Sequence, residues 1–342
     1  MVSVIPEILL IYTGGTIGMI RDYDTGALRS FNFNDLLEKI PELRLLDCTI
    51  STYSFEEPID SSNMEPKYWS QICEVIERGY KKYDGFVILH GSDTMSYTAS
   101  ALSFMLEHLS KPVILTGSQL PIGDLRTDAK ENLITAVQIA ALQKRGRPYI
   151  QEVGLYFEYK LYRGNRTTKV SAEHFEAFQS PNYPFLAKSG VHLTINDEVL
   201  ISGKKKNLVV HNELVTDILV VHLYPGINCD MLTQIFENVD YKGIILKTFG
   251  AGNATTHSWF IELLKKCINT GVPVINVSQC NSGSVQMGNY ETSTQLRSIG
   301  VISGKDITIE AAITKMMYLL GQNLAPKVFK TIFETPLRGE MS

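Results

Sequence analysis

The chain has 342 residues, 44% of them hydrophobic, which is enough for two ordinary domains with packed cores and argues against a disordered chain. Lys and Arg number 32 against 36 Asp and Glu, a net charge of −4, and no basic block or stripe appears, so a nucleic-acid surface is not expected. No apolar run reaches the roughly 18 residues of a transmembrane helix, and Met1 to Tyr12 lacks the positive n-region of a signal peptide. The five cysteines, Cys48, Cys73, Cys229, Cys267 and Cys280, are odd in number and fit neither zinc nor CxxC spacing. They read as reduced thiols of a cytosolic protein. The seven histidines show no ligand spacing, so no metal is implied.

In chain order, Ile8–Tyr12 reads as a buried strand ending in Thr13-Gly14-Gly15-Thr16. Phe86–Leu89 is a second, ending in His90-Gly91-Ser92-Asp93-Thr94, and Ala99, Leu102, Phe104, Met105 and Leu109 then recur at helical spacing. Val113–Thr116 is a third strand, Leu133, Ala136, Val137, Ala140 and Ala141 mark a helix, and Val153–Phe157 is a fourth strand. A polar break spans 189–212 and includes Lys204-Lys205-Lys206, which reads as a solvated loop. Beyond it come strands at Ile218–Leu223, Gly243–Lys247 and Val272–Val277, and helices near Trp259–Ile268 and Thr308–Leu320. Continuous apolar strands alternating with helices imply α/β architecture: two domains, each with a mostly parallel sheet flanked by helices. The expected boundaries are 1–190, a linker 191–212, and 213–342.

Ligands of open parallel sheets bind beyond the carboxyl ends of the strands. Thr13-Gly14-Gly15-Thr16-Ile17-Gly18 sits at such an end, and its glycines permit a sharp turn and close backbone approach. Alone it fits a plain strand-exit turn equally well. A Walker loop does not fit, because no Gly-Lys-Ser/Thr follows. Asp93 or Thr94 alone reads as a helix cap. Amide hydrolysis needs a nucleophile, a proton acceptor and donors to an oxyanion. Thr16, Ser92, Asp93 and Lys169 together contain those groups.

With these segments in hand, the sequence resembles the bacterial type I (cytoplasmic) L-asparaginases over essentially its whole length. The carrying segments are Tyr12-Thr13-Gly14-Gly15-Thr16-Ile17-Gly18-Met19, Asp60-Ser61-Ser62-Asn63-Met64, the stretch from Asp84 to Met95, Leu161-Tyr162-Arg163-Gly164-Asn165-Arg166-Thr167-Thr168-Lys169, and Tyr224-Pro225-Gly226. The resemblance implies hydrolysis of asparagine through a threonine nucleophile matching Thr16 and a covalent aspartyl-enzyme ester. The family's Thr-Asp-Lys group matches Ser92, Asp93 and Lys169. Ser61, Ser92 and Asp93 would bind substrate, and Asn253 and Tyr290 match positions that reach the site from a neighbouring subunit. Backbone N–H groups near Gly15 and Ser92 would form the oxyanion hole. A homo-oligomer, a dimer of dimers, is implied, with no cofactor, metal, nucleic acid or membrane partner.

Two departures stand out. The family generally has threonine where this chain has Ser92, and serine lacks the methyl that stiffens χ1. The family's lid tyrosine lies beside a glycine, whereas Gly26 is followed here by Ala27 and the nearest tyrosine is Tyr23. Tyr23 is the candidate lid residue, with a plain loop residue as the other reading. Thr168 and Cys280 match a regulatory asparagine site of some members, but the arginine of that site is Lys247 here, which lacks a bidentate grip on a carboxylate. Two other functions are compatible with the motifs: the asparaginase-like subunit of a tRNA-dependent amidotransferase, and an amino-acid sensor without turnover. The motif beginning at residue 13 and the presence of Thr16, Asp93 and Lys169 weigh against them.

Overall fold

The apolar runs of the N-terminal half form parallel strands buried on both faces. A computed structural model describes residues 5–21, 28–30, 40–203, 206–288 and 291–342. The chain divides into units Met1–Asn212 and Glu213–Ser342. Among the described residues, the first unit holds an eight-stranded sheet. Its members are β1 (Glu7–Gly14), β2 (Thr49–Ile59), β3 (Gly85–Leu89), β4 (Val113–Thr116), β5 (Val153–Phe157), β6 (Lys160–Arg163), β7 (Ala187–Lys188) and β8 (Thr194–Ile195). The order across the sheet is β8-β7-β6-β5-β4-β3-β1-β2. The first five strands are parallel, with Ile8 opposite Gly85 and Tyr12 opposite Leu89, and β6 to β8 add on antiparallel.

Side chains alternate between the two faces of a strand. Ile8, Leu10, Val87, Leu89 and Ile114 share one core with Leu133, Ala136, Val137 and Ala140 of helix Ala129–Ala141. Leu9, Ile11, Phe86 and Ile88 are as buried on the other face. There Phe86 stacks on Tyr80, at the end of helix α1 (Pro66–Gly79). Pro66 opens α1 with its φ preset for a helix, and Trp69, Ile72, Cys73 and Ile76 recur at i, i+3, i+4 and i+7 on its buried face. Helix α2 (Met95–Met105) follows β3, and Ala129–Ala141 is α3. The helical spacing read as far as Leu109 stops at Met105, because Leu106–Glu107 instead pairs with Val209–Val210.

The segment expected as a linker, 191–212, clusters with the first unit. β8 extends the sheet, Ile201 N–H donates to Glu152 and Gly203 N–H donates to Gln151. In the second unit, β9 (Ile218–His222), β10 (Gly243–Thr248), β11 (Val274–Ser278) and β12 (Ile302–Ser303) form a parallel sheet in sequence order. Helices α4 (Cys229–Asn238), α5 (Ser258–Asn269), α6 (Glu291–Ser298), α7 (Ile309–Gly321) and α8 (Pro326–Phe333) belong with it. Val221, Leu246 and Val274 pack with Phe236, Phe260 and Leu264. The chain thus adopts the expected class, two α/β domains with mostly parallel sheets and helices.

Two charge arrangements generate stability predictions. Lys315 and Glu340, both fully buried, form an ion pair. Lys315 Nζ also donates to the carbonyls of Phe333 (2.7 Å) and Thr335 (2.8 Å), and Glu340 accepts from the N–H groups of Leu337 and Arg338. Removing one partner of a buried pair costs about 3–5 kcal/mol, because the other charge is left uncompensated. Lys315→Met should lose stability on that scale in urea unfolding, and adding Glu340→Gln should restore part of it. An unchanged midpoint in the single variant would refute this account.

Glu158, in the turn between β5 and β6, has its carboxyl pushed up to about 7, first by burial and then by the carboxylates of Asp128, Glu131 and Glu176. An acid whose pKa is higher folded than unfolded contributes stability below its ordinary value of 4.5 that is lost as pH rises through about 7. Glu158→Gln should therefore raise the thermal midpoint relative to the parent at about pH 8, and the two curves should converge near pH 4. A difference that is the same at both pH values would rule this out.

Candidate active site

In the sheet, β1 lies between β2 and β3, so the chain leaves β1 to one side and returns on the other. That reversal is a topological switch point, where a crevice opens beyond the carboxyl ends. Three strand exits meet there at close range. Gly14 pairs with Ile59 at the end of β2, and a Cβ on Gly14 would lie 2.1 Å from the Ile59 carbonyl oxygen. Gly15, at φ 88°, lies against Gly91, where a Cβ would come within 2.5 Å of the Gly91 nitrogen. A Cβ on Gly91 would in turn lie 2.5 Å from Ser61 Oγ. Only glycine fits such contacts.

These contacts bring four of the expected site residues together. Thr16, half-buried, opens the 3-10 turn Thr16–Gly18 after β1. Ser61, buried, opens the turn Ser61–Asn63 after β2, and its carbonyl accepts from Thr94 Oγ1 at 2.7 Å. Ser92 and Asp93 open the turn after β3. Thr13 Oγ1 donates to the Leu89 carbonyl (2.9 Å), which joins the β1 and β3 exits a second time.

Lys169 arrives from the antiparallel side of the sheet. Arg163, at the end of β6, is buried and paired with Glu152 at 2.6 Å, and it donates to the Val199 carbonyl. Its guanidinium lies 4.4 Å from the ring centre of Tyr183. Thr167 Oγ1 donates to the Gly164 carbonyl and lies within hydrogen-bond reach of Ser96 Oγ, and Lys169 then pairs with Phe178 in a short antiparallel ladder. So held, Lys169 Nζ donates to Ser92 Oγ (2.8 Å) and to Asp93 Oδ1 (2.7 Å). The lysine side chain is 17% exposed and the aspartate 65%. An ion pair with one partner this exposed adds little stability.

Beneath the crevice, His90 is fully buried, and burial pushes its pKa down to about 4. The ring is therefore neutral at physiological pH. The Gly91 carbonyl can only accept, so His90 Nδ1–H donates to it; Nε2 of the neutral ring then accepts from the Thr98 hydroxyl, whose oxygen accepts from Trp69 Nε1–H. In a trans peptide the Ser92 N–H points opposite that carbonyl, away from the histidine. The chain of bonds makes His90 a support for the Ser92 N–H and leaves its ring no free nitrogen to exchange protons in the crevice.

Asn253 lies in the second unit, where Phe249 and Asn253 close a tight loop after β10. Loop and strands there are joined by bonds from Thr248 to Asn276 and from Asn276 to the Gly252 carbonyl. Tyr23 and Tyr290 lie outside the described residues; Met19–Arg21 and Leu28–Ser30, on either side of Tyr23, pair antiparallel. Among the described residues, no group of three or more His, Cys, Asp or Glu side chains is arranged to hold a metal ion. One site residue is absent from the sequence-based set. Gln119, on the exit of β4, accepts from Ser92 Oγ at 3.1 Å. A local signal for it exists, since Gly117-Ser118-Gln119 follows a strand just as the two singled-out loops do.

Residues 7–200 match the family described as Asparaginase, N-terminal, and residues 217–333 match the Glutaminase/Asparaginase C-terminal domain. The chain is 44% identical to L-asparaginase 1 of Escherichia coli strain K12 over 98% of each sequence. It is 33% identical to a Glutamyl-tRNA(Gln) amidotransferase subunit of Saccharolobus solfataricus, over 98% of this chain and 76% of that protein. The crystal structure of L-asparaginase I from Vibrio cholerae superposes with a TM-score of 0.90 at 40% identity, covering 98% of this chain and 99% of that one. With strand exits, hydroxyls and lysine disposed in this way and both halves matched along nearly their whole length, the chain belongs to the asparaginase family.

Proposed function

We propose that this chain is an L-asparaginase that hydrolyses L-asparagine to L-aspartate and ammonia, with Thr16 as nucleophile. The observation that carries the reading is the joining of Lys169 Nζ to Ser92 Oγ and Asp93 Oδ1 in the crevice against which the Thr16 turn packs. In the first half-reaction Thr16 Oγ1 bonds to the amide carbon and the C–N bond breaks. The hydroxyl proton passes through the neighbouring polar groups to the departing nitrogen. In the second, water bonds to the ester carbon, the C–O bond to Thr16 breaks, and the hydroxyl recovers a proton. Ser92 and Lys169 serve proton transfer, and the Ser92 N–H and the backbone near Gly15 receive the oxyanion. Ser61 and the exposed Asp93 carboxylate grip the α-groups of the substrate. Tyr23 is the candidate lid residue in this reading.

The identity to the amidotransferase subunit, 33%, is lower than the 44% to the asparaginase, which favours the hydrolase. The five cysteines are free thiols, which suits a cytoplasmic enzyme. The working assembly in this reading is a homotetramer, with Asn253 and Tyr290 supplied to each site by a neighbouring subunit.

Ammonia release from asparagine and glutamine is the direct test. Asparagine should be preferred by on the order of a hundredfold in kcat/KM, because one methylene more moves the amide out of attack range. Thr16→Val should keep its fold and lose at least about a hundredfold in kcat. A folded variant with parental turnover would exclude Thr16 as nucleophile, and equal kcat/KM values would exclude the stated specificity.

Subunit sharing is tested by complementation. If Thr16→Val and Tyr290→Ala are each nearly inactive, mixed dimers should contain one doubly damaged and one intact site. Random pairing then leaves roughly a quarter of all sites intact. Mixed oligomers verified by mass that show no recovery would mean that Tyr290 does not act across subunits.

A further inference from the structure

We propose that Gln119 is a positioning residue for the Ser92 hydroxyl, fixing the rotamer that a threonine's methyl would otherwise restrict. The inference rests on the functional reading above and adds a residue to it. An ammonium has only donors, so Lys169 Nζ donates to Ser92 Oγ at 2.8 Å. Gln119 Nε2 lies 3.1 Å from the His174 carbonyl oxygen, which can only accept. That contact settles the amide orientation and turns Oε1 toward Ser92, 3.1 Å from Oγ. The single Ser92 proton is therefore directed to Gln119, and a lone pair is directed to Lys169.

The main chain that carries this side chain is firmly placed. The buried carboxylate of Asp128 accepts from Gln119 N–H (2.9 and 3.1 Å to its two oxygens) and from Leu120 N–H (3.1 Å), and Asn132 Nδ2 donates to it at 3.2 Å. Serine has three staggered χ1 wells open to it, whereas threonine is stiffened by its second branch. A donor and an acceptor on a rigid frame leave Ser92 one well. Removing the Gln119 carbonyl frees both the rotamer and the proton of a hydroxyl that must meet Lys169 and substrate together.

This predicts a dependence on residue 92 that a structural role lacks. If the amide only anchored the 171–177 loop through His174, its loss would cost the same with serine or threonine at position 92. The test compares kcat for asparagine in four proteins: parent, Gln119→Met, Ser92→Thr, and the double variant, each checked for an unchanged thermal midpoint. Gln119→Met should lose roughly three- to tenfold in the parent, the scale of one neutral hydrogen bond, and under about twofold in the Ser92→Thr background. Gln119→Ala repeats the comparison without a thioether in the crevice. Equal losses in both backgrounds overturn the proposal. A crystal structure of Gln119→Met gives a readout independent of turnover: Ser92 Oγ should spread over two rotamers, and a single unchanged rotamer overturns the proposal. A parent enzyme that releases no ammonia from asparagine would instead sink the functional reading, with the rotamer experiment still deciding the role of Gln119.

Discussion

Everything in the crevice depends on the absence of three β-carbons. Gly14 and Gly15 let the exit of β1 touch those of β2 and β3 through main-chain atoms, Gly91 leaves room for the Ser61 side chain, and Thr16, Ser61 and Ser92 stand on those exits. Main-chain contact is stiffer than any arrangement mediated by side chains, because few torsions separate the touching atoms. Catalytic geometry needs that stiffness, since small misplacements of a reacting group cost large factors in rate. The switch-point topology supplies the space, and the glycines set how closely its walls approach.

Charge enters this frame from the opposite edge of the sheet. Lys169 follows a segment anchored by the Arg163–Glu152 pair, by Arg163 and Tyr183 in face contact, and by the Thr167 hydroxyl. Burying Arg163 and Glu152 is favourable only as a pair with further hydrogen bonds, and each has them: Arg163 to the Val199 carbonyl, Glu152 from the Ile201 N–H. The ammonium that reaches Ser92 and Asp93 is thus set by a buried network whose members lie far apart in sequence. His90, for all its place in the motif, belongs to the supporting layer.

What the amino-acid sequence reveals of this arrangement depends on whether the signal is local. β1, β3, β4 and β5, and helices α2 and α3, follow from hydrophobic patterning, and the glycine-rich exits are recognisable as exits. Helix α1 carries a local signal as well, Pro66 and an i, i+3, i+4, i+7 apolar stripe, although it lies outside the motifs that point to the site. β6 to β8 are too short for a period to develop. Segment 191–212 looks like a linker because its two ladders are only two residues long each and its other attachments include side chains of Gln151, Glu152 and Arg163 bonding to its backbone, and no pattern within the segment encodes partners that distant. The strand exit that carries Gln119 is visible locally, but the role proposed for the residue is not, because it lies in what Ser92 lacks, a property of another loop.

The uneven exposure of the Lys169–Asp93 pair has a consequence for ionic strength. In the open crevice the Asp93 carboxylate stands largely in water, so salt and solvent screen its attraction to Lys169. A ligand lying over Asp93 would expel that water without altering the 2.7 Å contact. The same two charges would then interact through a lower dielectric and strengthen several-fold. Added salt would accordingly weaken the electrostatics of the empty site far more than those of the occupied one, so that occupancy itself sets how strongly the lysine is held.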